Sequence, residues 1–63
     1  MQLIINTYGS YLHRAQSCFE IKTEDKKTKV STKKIDSILI TTGAAISSDA
    51  VKLASENNIE IQF

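Results

Sequence analysis

A chain of 63 residues with one cysteine and one histidine has few ways to hold itself together. A domain of this size buries only about 60% of the surface its unfolded chain exposes, so its stability is marginal. Ordering costs roughly 1.5 kcal/mol per residue and burial returns about 25 cal/mol per Å², and the two nearly cancel at this length. Small domains escape through disulfides, a metal, a partner or dense packing. Cys18 alone closes no internal disulfide. One histidine and one cysteine do not supply the four N or S ligands of a structural zinc site. The chain therefore packs unusually well, associates with another copy, or belongs to something larger.

Other classes fall away on simple grounds. Hydrophobic residues make up 41% of the chain, too many for a disordered segment. No apolar run exceeds that of Ile38-Leu39-Ile40, far short of a membrane span. Met1-Gln2-Leu3-Ile4-Ile5 has no basic stretch and no small-residue cleavage site, so it does not read as a secretory signal. A free thiol without a signal fits a reducing compartment, and the expectation is a cytoplasmic protein with no membrane role. Charge is segregated along the chain. Residues 22–34 hold Lys22, Lys26, Lys27, Lys29, Lys33 and Lys34 against Glu24 and Asp25, a local +4, while residues 35–63 carry −3. A basic middle between apolar ends reads as an exposed hairpin tip.

Periodicity divides the chain into short elements. Residues 2–6 read as a strand, with Leu3, Ile4 and Ile5 implying cover on both faces for part of its length. Asn6 to Ser10 is a turn, with Gly9 free to take φ > 0. Tyr11 to Ala15 is a second strand with Leu12 on one face and Tyr11 and His13 on the other. Gln16-Ser17 is a tight connection into a third strand, Cys18 to Lys22. A turn over residues 23–26 leads to a fourth, Lys27 to Ser31, anchored by Val30. A helical turn from Ser31 or Thr32 through Lys34 brings Ile35 inward. Ser37 to Thr41 is a buried strand that breaks at Thr42-Gly43-Ala44-Ala45. One helix spans residues 48–57. It is capped by Ser47 or Ser48, has Asp49 in its first turn, and ends at Asn57-Asn58. Ile46, Ala50, Leu53 and Ala54 form its apolar stripe. Ile59, Ile61 and Phe63 alternate into a last strand. The expected fold is mainly β with one helix (α+β): an antiparallel meander of four strands, then strand–helix–strand. The final strand runs into Phe63, and the expectation is an incomplete sheet domain.

No catalytic constellation emerges from the residues. Cys18 and His13 lie on adjacent predicted strands, but a nucleophile–base pair also needs an orienting group and an oxyanion site. Free cysteine is ordinarily buried filler. His13 with Glu20 or Asp25 lacks any metal-binding spacing, and beside Arg14 it reads as a solvated strand position. Thr41 to Ser48 runs from a strand into a helix N-terminus, a geometry that binds anions, without phosphate-loop spacing. Tyr8 and Tyr11, near Arg14, can stack on bases. Core or interface packing is the plainer reading of those rings.

Three stretches carry a resemblance: Met1-Gln2-Leu3-Ile4-Ile5-Asn6-Thr7-Tyr8-Gly9, Ile38-Leu39-Ile40-Thr41-Thr42-Gly43-Ala44-Ala45-Ile46-Ser47-Ser48-Asp49-Ala50, and Glu56-Asn57-Asn58-Ile59-Glu60-Ile61-Gln62-Phe63. In this order, across the whole chain, they resemble the N-terminal β domain of the CRISPR-associated endonuclease/integrase of the spacer-acquisition machinery. The resemblance implies a two-part enzyme that forms a homodimer, assembles with a small CRISPR-associated partner protein and inserts short DNA into the repeat array. It implies catalysis by a divalent metal, magnesium or manganese, held by Glu, His and an acidic residue of a C-terminal helical domain. None of those residues falls within 1–63, His13 does not match the family's catalytic histidine, and this chain alone is expected to be inactive. Tyr8 matches a position where some members stack a tyrosine on the end of a captured duplex. Ser47, Ser48 and Asp49 match a motif whose physical role is helix capping. The candidates for DNA contact are Tyr8, Arg14, Lys26, Lys27 and Lys29. The competing reading is a stand-alone interaction and dimerisation domain with no nucleic-acid role.

Overall fold

Alternating apolar side chains give strands only where a partner strand and a covered face are both available. In the computed structural model, which describes all of residues 1–63, seven segments meet that condition. They are β1 (Gln2–Ile5), β2 (Tyr11–Ala15), β3 (Cys18–Lys22), β4 (Lys27–Ser31), β5 (Ser37–Ile40), β6 (Ala45–Ile46) and β7 (Glu60–Gln62). A 3-10 turn, Thr32–Lys34, precedes β5, and one helix, α1 (Ser48–Glu56), lies between β6 and β7.

The strands form two open sheets, β1-β5-β7 and β4-β3-β2-β6. The meander is antiparallel through β2, β3 and β4, but β1 does not join it. β1 pairs in parallel with β5, placing Leu3 beside Ile38 and Ile5 beside Ile40. The turn after β1 makes this departure possible. Gly9 takes φ 82°, and the Ser10 hydroxyl and N–H both donate to the Thr7 carbonyl, at 2.6 and 3.2 Å. The strand–helix–strand expectation holds: β5 and β7 are parallel, with α1 in the connection. The stretch read as a break, Thr42 to Ala45, ends instead in β6, which pairs in parallel with β2 through Tyr11–Ala45 and Leu12–Ile46.

Local signals set the element ends. The Ser47 hydroxyl accepts the Ala50 N–H at 3.2 Å and caps α1. At the other end Asn58 has φ 55°, the Asn58 N–H reaches the Ser55 carbonyl and the Ile59 N–H reaches that of Ala54. This pair of bonds is the Schellman motif, and it delivers Ile59 into the core beside Ala54. Ser31 caps the 3-10 turn through the Lys33 N–H, and Ile35 follows it into the interior.

The core lies between the sheets and α1. Leu12 and Phe19 come from the four-stranded sheet, Ile5, Ile38 and Ile40 from the three-stranded one, and Ala50, Leu53 and Ala54 from the helix. Ile46, read as part of the helical stripe, sits in β6 and packs on the core edge. β1 has only one covered face, contrary to the expectation from its three apolar residues, and Ile4 is 52% exposed. Burial also fades along the last strand, from buried Ile59 through half-buried Ile61 to exposed Phe63. No helix is long and apolar enough to cross a membrane.

Candidate nucleic-acid interface

The outward face of the four-stranded sheet follows from register. Side chains alternate along each strand and match across it. Tyr11 stands opposite Lys22, and Lys22 opposite Lys27; one row further, His13 stands opposite Glu20, and Glu20 opposite Lys29. With Ala45 beside Tyr11, one lateral row reads Ala45, Tyr11, Lys22, Lys27. Lys22, Lys27 and Lys29 are exposed. Lys26 stands exposed on the β3–β4 turn, where the Thr23 N–H donates to its carbonyl at 2.9 Å.

His13 is tied down rather than solvated. Its Nε2 lies 2.8 Å from Glu20 Oε1 and its Nδ1 3.2 Å from the Arg14 carbonyl oxygen. Its ring stacks on Tyr11, with centroids 5.1 Å apart and planes 15° from parallel. Both ring nitrogens are thus engaged, and neither partner is Cys18, which stands opposite Ala15. No three His, Cys, Asp or Glu side chains come together in a group able to hold a metal. With His13 spoken for by Glu20 and a backbone carbonyl, the side chains present do not fit the divalent ion implied by the resemblance.

Tyr8 sits at the corner of this face, on the turn between β1 and β2, and is 84% exposed. Its position depends on Gly43, because a Cβ on Gly43 would lie 2.9 Å from Tyr8 Cε1 and 3.2 Å from Cδ1. The Gly9 N–H donates to the Gly43 carbonyl at 2.8 Å and fixes the two loops together. The ring therefore lies across a residue without a side chain. Tyr8, Tyr11, Gly43, Ala44 and Ala45 border a shallow groove of about 370 Å³.

The structure does not bring all the sequence candidates together. Arg14 alternates with His13 and so points to the helix side of the sheet. There its Nε donates to the Gln16 carbonyl at 2.7 Å, and Nη1 lies 3.9 Å from Glu56 Oε1. Tyr8 borders its groove with Tyr11, whose row carries Lys22 and Lys27, whereas Lys26 borders a second groove on the other side of the sheet with Ile21 and Thr28. Lys22 is not among the sequence candidates for DNA contact, and Tyr11 enters there as a base-stacking ring whose plainer reading is packing; the strand register places the two in one row. The Ser47–Asp49 block acts on its own helix. Ser47 Oγ donates to Asp49 Oδ1, and that bond is the main reason the Asp49 carboxyl is held below its ordinary value of 3.8. Burial opposes the shift, while the Arg14 and Ala50 N–H groups and the Arg14 charge add to it.

The sequence profile of the family described as CRISPR associated protein Cas1 matches residues 3–63. The CRISPR-associated endonuclease Cas1 2 of Saccharolobus solfataricus is 38% identical over 61 residues, 97% of this chain and 20% of the relative. A CAS1 protein structure from Thermotoga maritima superposes over 100% of this chain and 20% of its own, with TM-score 0.87 and 16% identity. The crystal structure of a TtCas1–DNA complex aligns over 89% of this chain and 21% of its own, with TM-score 0.77 and 18% identity. The chain thus spans about a fifth of the length of each protein it matches.

Proposed function

The chain belongs to the family of the CRISPR-associated protein Cas1, as its N-terminal β domain, and from that premise we propose that it receives and positions DNA ends. The observation that carries this is Tyr8, a large ring 84% exposed at the corner of a lysine-bearing face. A ring so placed costs apolar exposure unless something flat covers it. The end of a duplex offers a flat face of base pairs. Tyr8 stacks on that face, and Lys27 and Lys29 take the neighbouring phosphates, a contribution that weakens with salt. Arg14, held on the helix side, and Lys26, at the second groove, stay outside this surface.

On the same premise the domain works within a longer endonuclease/integrase that inserts new spacers, paired as a homodimer and joined to a small CRISPR-associated partner. Magnesium or manganese, bound by a helical domain, would activate the attacking oxygen in that reaction. Exposed Ile4 on an open sheet supports self-association. A stable monomer in sedimentation at high concentration would remove that part.

The central test is end binding. Replacing Tyr8 by Ala should weaken binding to a short blunt duplex by about tenfold, given that stacking on one ring contributes about 1–3 kcal/mol. Tyr8→Phe should retain it. Equal affinity of wild type and Tyr8→Ala for the duplex would refute the assignment.

A further inference from the structure

The two sheets differ in width. Three strands, β1-β5-β7, share the core with four, β4-β3-β2-β6. α1 packs on β2 and β7 and closes that end. The β1 end stays open. β1 pairs with β5 alone, and its other edge carries unpaired backbone groups. A groove of about 180 Å³ runs along that edge. Consecutive residues, 3–7, line it, although the side chains of a strand alternate between faces. The groove therefore follows the backbone edge rather than one face. Its opposite wall is Ile21 and Thr28. Thr28 pairs with Ile21 on the core side of the four-stranded sheet, yet it is exposed. The space fits one more strand beside β1, lying over Ile21 and Thr28.

The other sheet edges are guarded in the usual ways, by charge or by shortness. β4 carries Lys27 and Lys29, β6 has two residues, and β7 has three with Glu60 among them. β1, Gln2-Leu3-Ile4-Ile5, has no charge. The charge at its groove has one sign. Lys26 is in the lining, and Glu24 and Asp25 of the same turn lie outside it.

We propose that the outer edge of β1 and this groove take an extended segment of a partner protein, apolar at alternate positions and acidic at one end. Its backbone pairs with β1. One large side chain fills the groove, since an apolar cavity of about 150 Å³ already admits a benzene ring. Its carboxylates meet Lys26. Strand addition of this kind takes affinity from main-chain bonds and specificity from the pocket. Of the lining residues only Ser10 also borders the groove beside Tyr8, so this binding and DNA-end binding can be lost separately.

The probe is a short fluorescein-labelled peptide that alternates Val and Ser around one central Phe and carries a pair of Glu at each end. By anisotropy, this chain and the longer endonuclease/integrase should bind it more tightly than the same peptide with Lys pairs. N-methylation of the alternate amides that face β1 should weaken binding by about two- to tenfold for each bond removed, and N-methylation of the other set should not. Lys26→Glu should weaken binding by about two- to fivefold, and less at high salt. Thr28→Phe fills the groove from an exposed strand position and should abolish binding without lowering Tm. Equal binding of the Glu and Lys peptides, or equal effects of the two N-methylated sets, overturns the proposal. Binding by this chain but not by the longer protein gives the edge to a later segment of the same chain. A dimer that Thr28→Phe converts to monomer in sedimentation gives it to a second copy, and displacement of the peptide by a short duplex gives it to nucleic acid. Each of these three results also overturns the partner segment.

Discussion

Gly43→Ala separates what the Tyr8 corner does for folding from what it does for binding. The added methyl would meet Tyr8 Cε1 at 2.9 Å and Cδ1 at 3.2 Å, against an optimum of about 3.5–4.0 Å between carbons. Something has to move by roughly half an ångström or more. The Tyr8 ring is mostly in solvent and yields far more cheaply than the loop backbone, where Gly9 N–H and Gly43 carbonyl are bonded at 2.8 Å. Gly43 itself is not at positive φ, so alanine fits its backbone. Removing a glycine's freedom from the unfolded chain then stabilises by about 0.4–1 kcal/mol. For a domain this small each kcal/mol moves the midpoint by about 4–8 °C. Thermal unfolding followed by circular dichroism should therefore show an unchanged or higher Tm. Binding to a blunt duplex, followed by fluorescence anisotropy, should weaken severalfold because the ring has left its place. Gly9→Ala is the control of opposite sign. Nothing lies within 4 Å of its added methyl, but φ is 82°, and a left-handed alanine costs about 1–2 kcal/mol. A lower Tm for Gly43→Ala, or full end binding with the ring displaced, would refute the reasoning.

Other outcomes follow from single contacts. Phe19 is fully buried in the central strand β3, so Phe19→Ala should cost about 3–5 kcal/mol and leave a domain of this size largely unfolded by circular dichroism at 25 °C. Ser47→Ala removes the α1 cap and should lower stability by about 1 kcal/mol in urea unfolding. The acid limb adds a sign to that result. Asp49 titrates below its unfolded value of 3.8, so its contribution is present above that pH and is lost as pH falls through the folded value. The stability gap between wild type and Ser47→Ala should accordingly narrow as pH is taken below 3.8, and a gap that widens there would be inconsistent with the Ser47–Asp49 bond. Gln16 has φ 60° at the first position of the two-residue β2–β3 turn, where glycine fits best. Gln16→Gly should raise Tm, and a fall of several degrees would contradict this account of the turn.

Much of this fold is legible locally because its causes are local. Ser47 as cap, Asn58 in the left-handed region, Ser31 opening the short turn and Gly9 at positive φ each answer to a residue type with one favoured geometry. The alternation of Phe19 and Ile21 with Glu20 and Lys22 puts them on one face without reference to their partners. His13 is a different case. The sequence shows a polar residue beside Arg14 on the Tyr11 face of β2, and only the opposing strand supplies Glu20.

The sequence by itself determined every strand but β6, and where the single helix starts and stops. The tertiary structure decided how the pieces meet. It moved β1 out of the meander and against β5, because parallel pairing puts Leu3 and Ile5 in line with Ile38 and Ile40. It turned Arg14 to the helix side, laid Tyr8 across Gly43 and set Tyr11, Lys22 and Lys27 in one row. Those relations depend on register between strands far apart in the chain, and a shift of one residue would send every side chain to the other face. Two small sheets and a helix share one core, and the outward face of the four-stranded sheet bears Tyr11, Lys22 and Lys27.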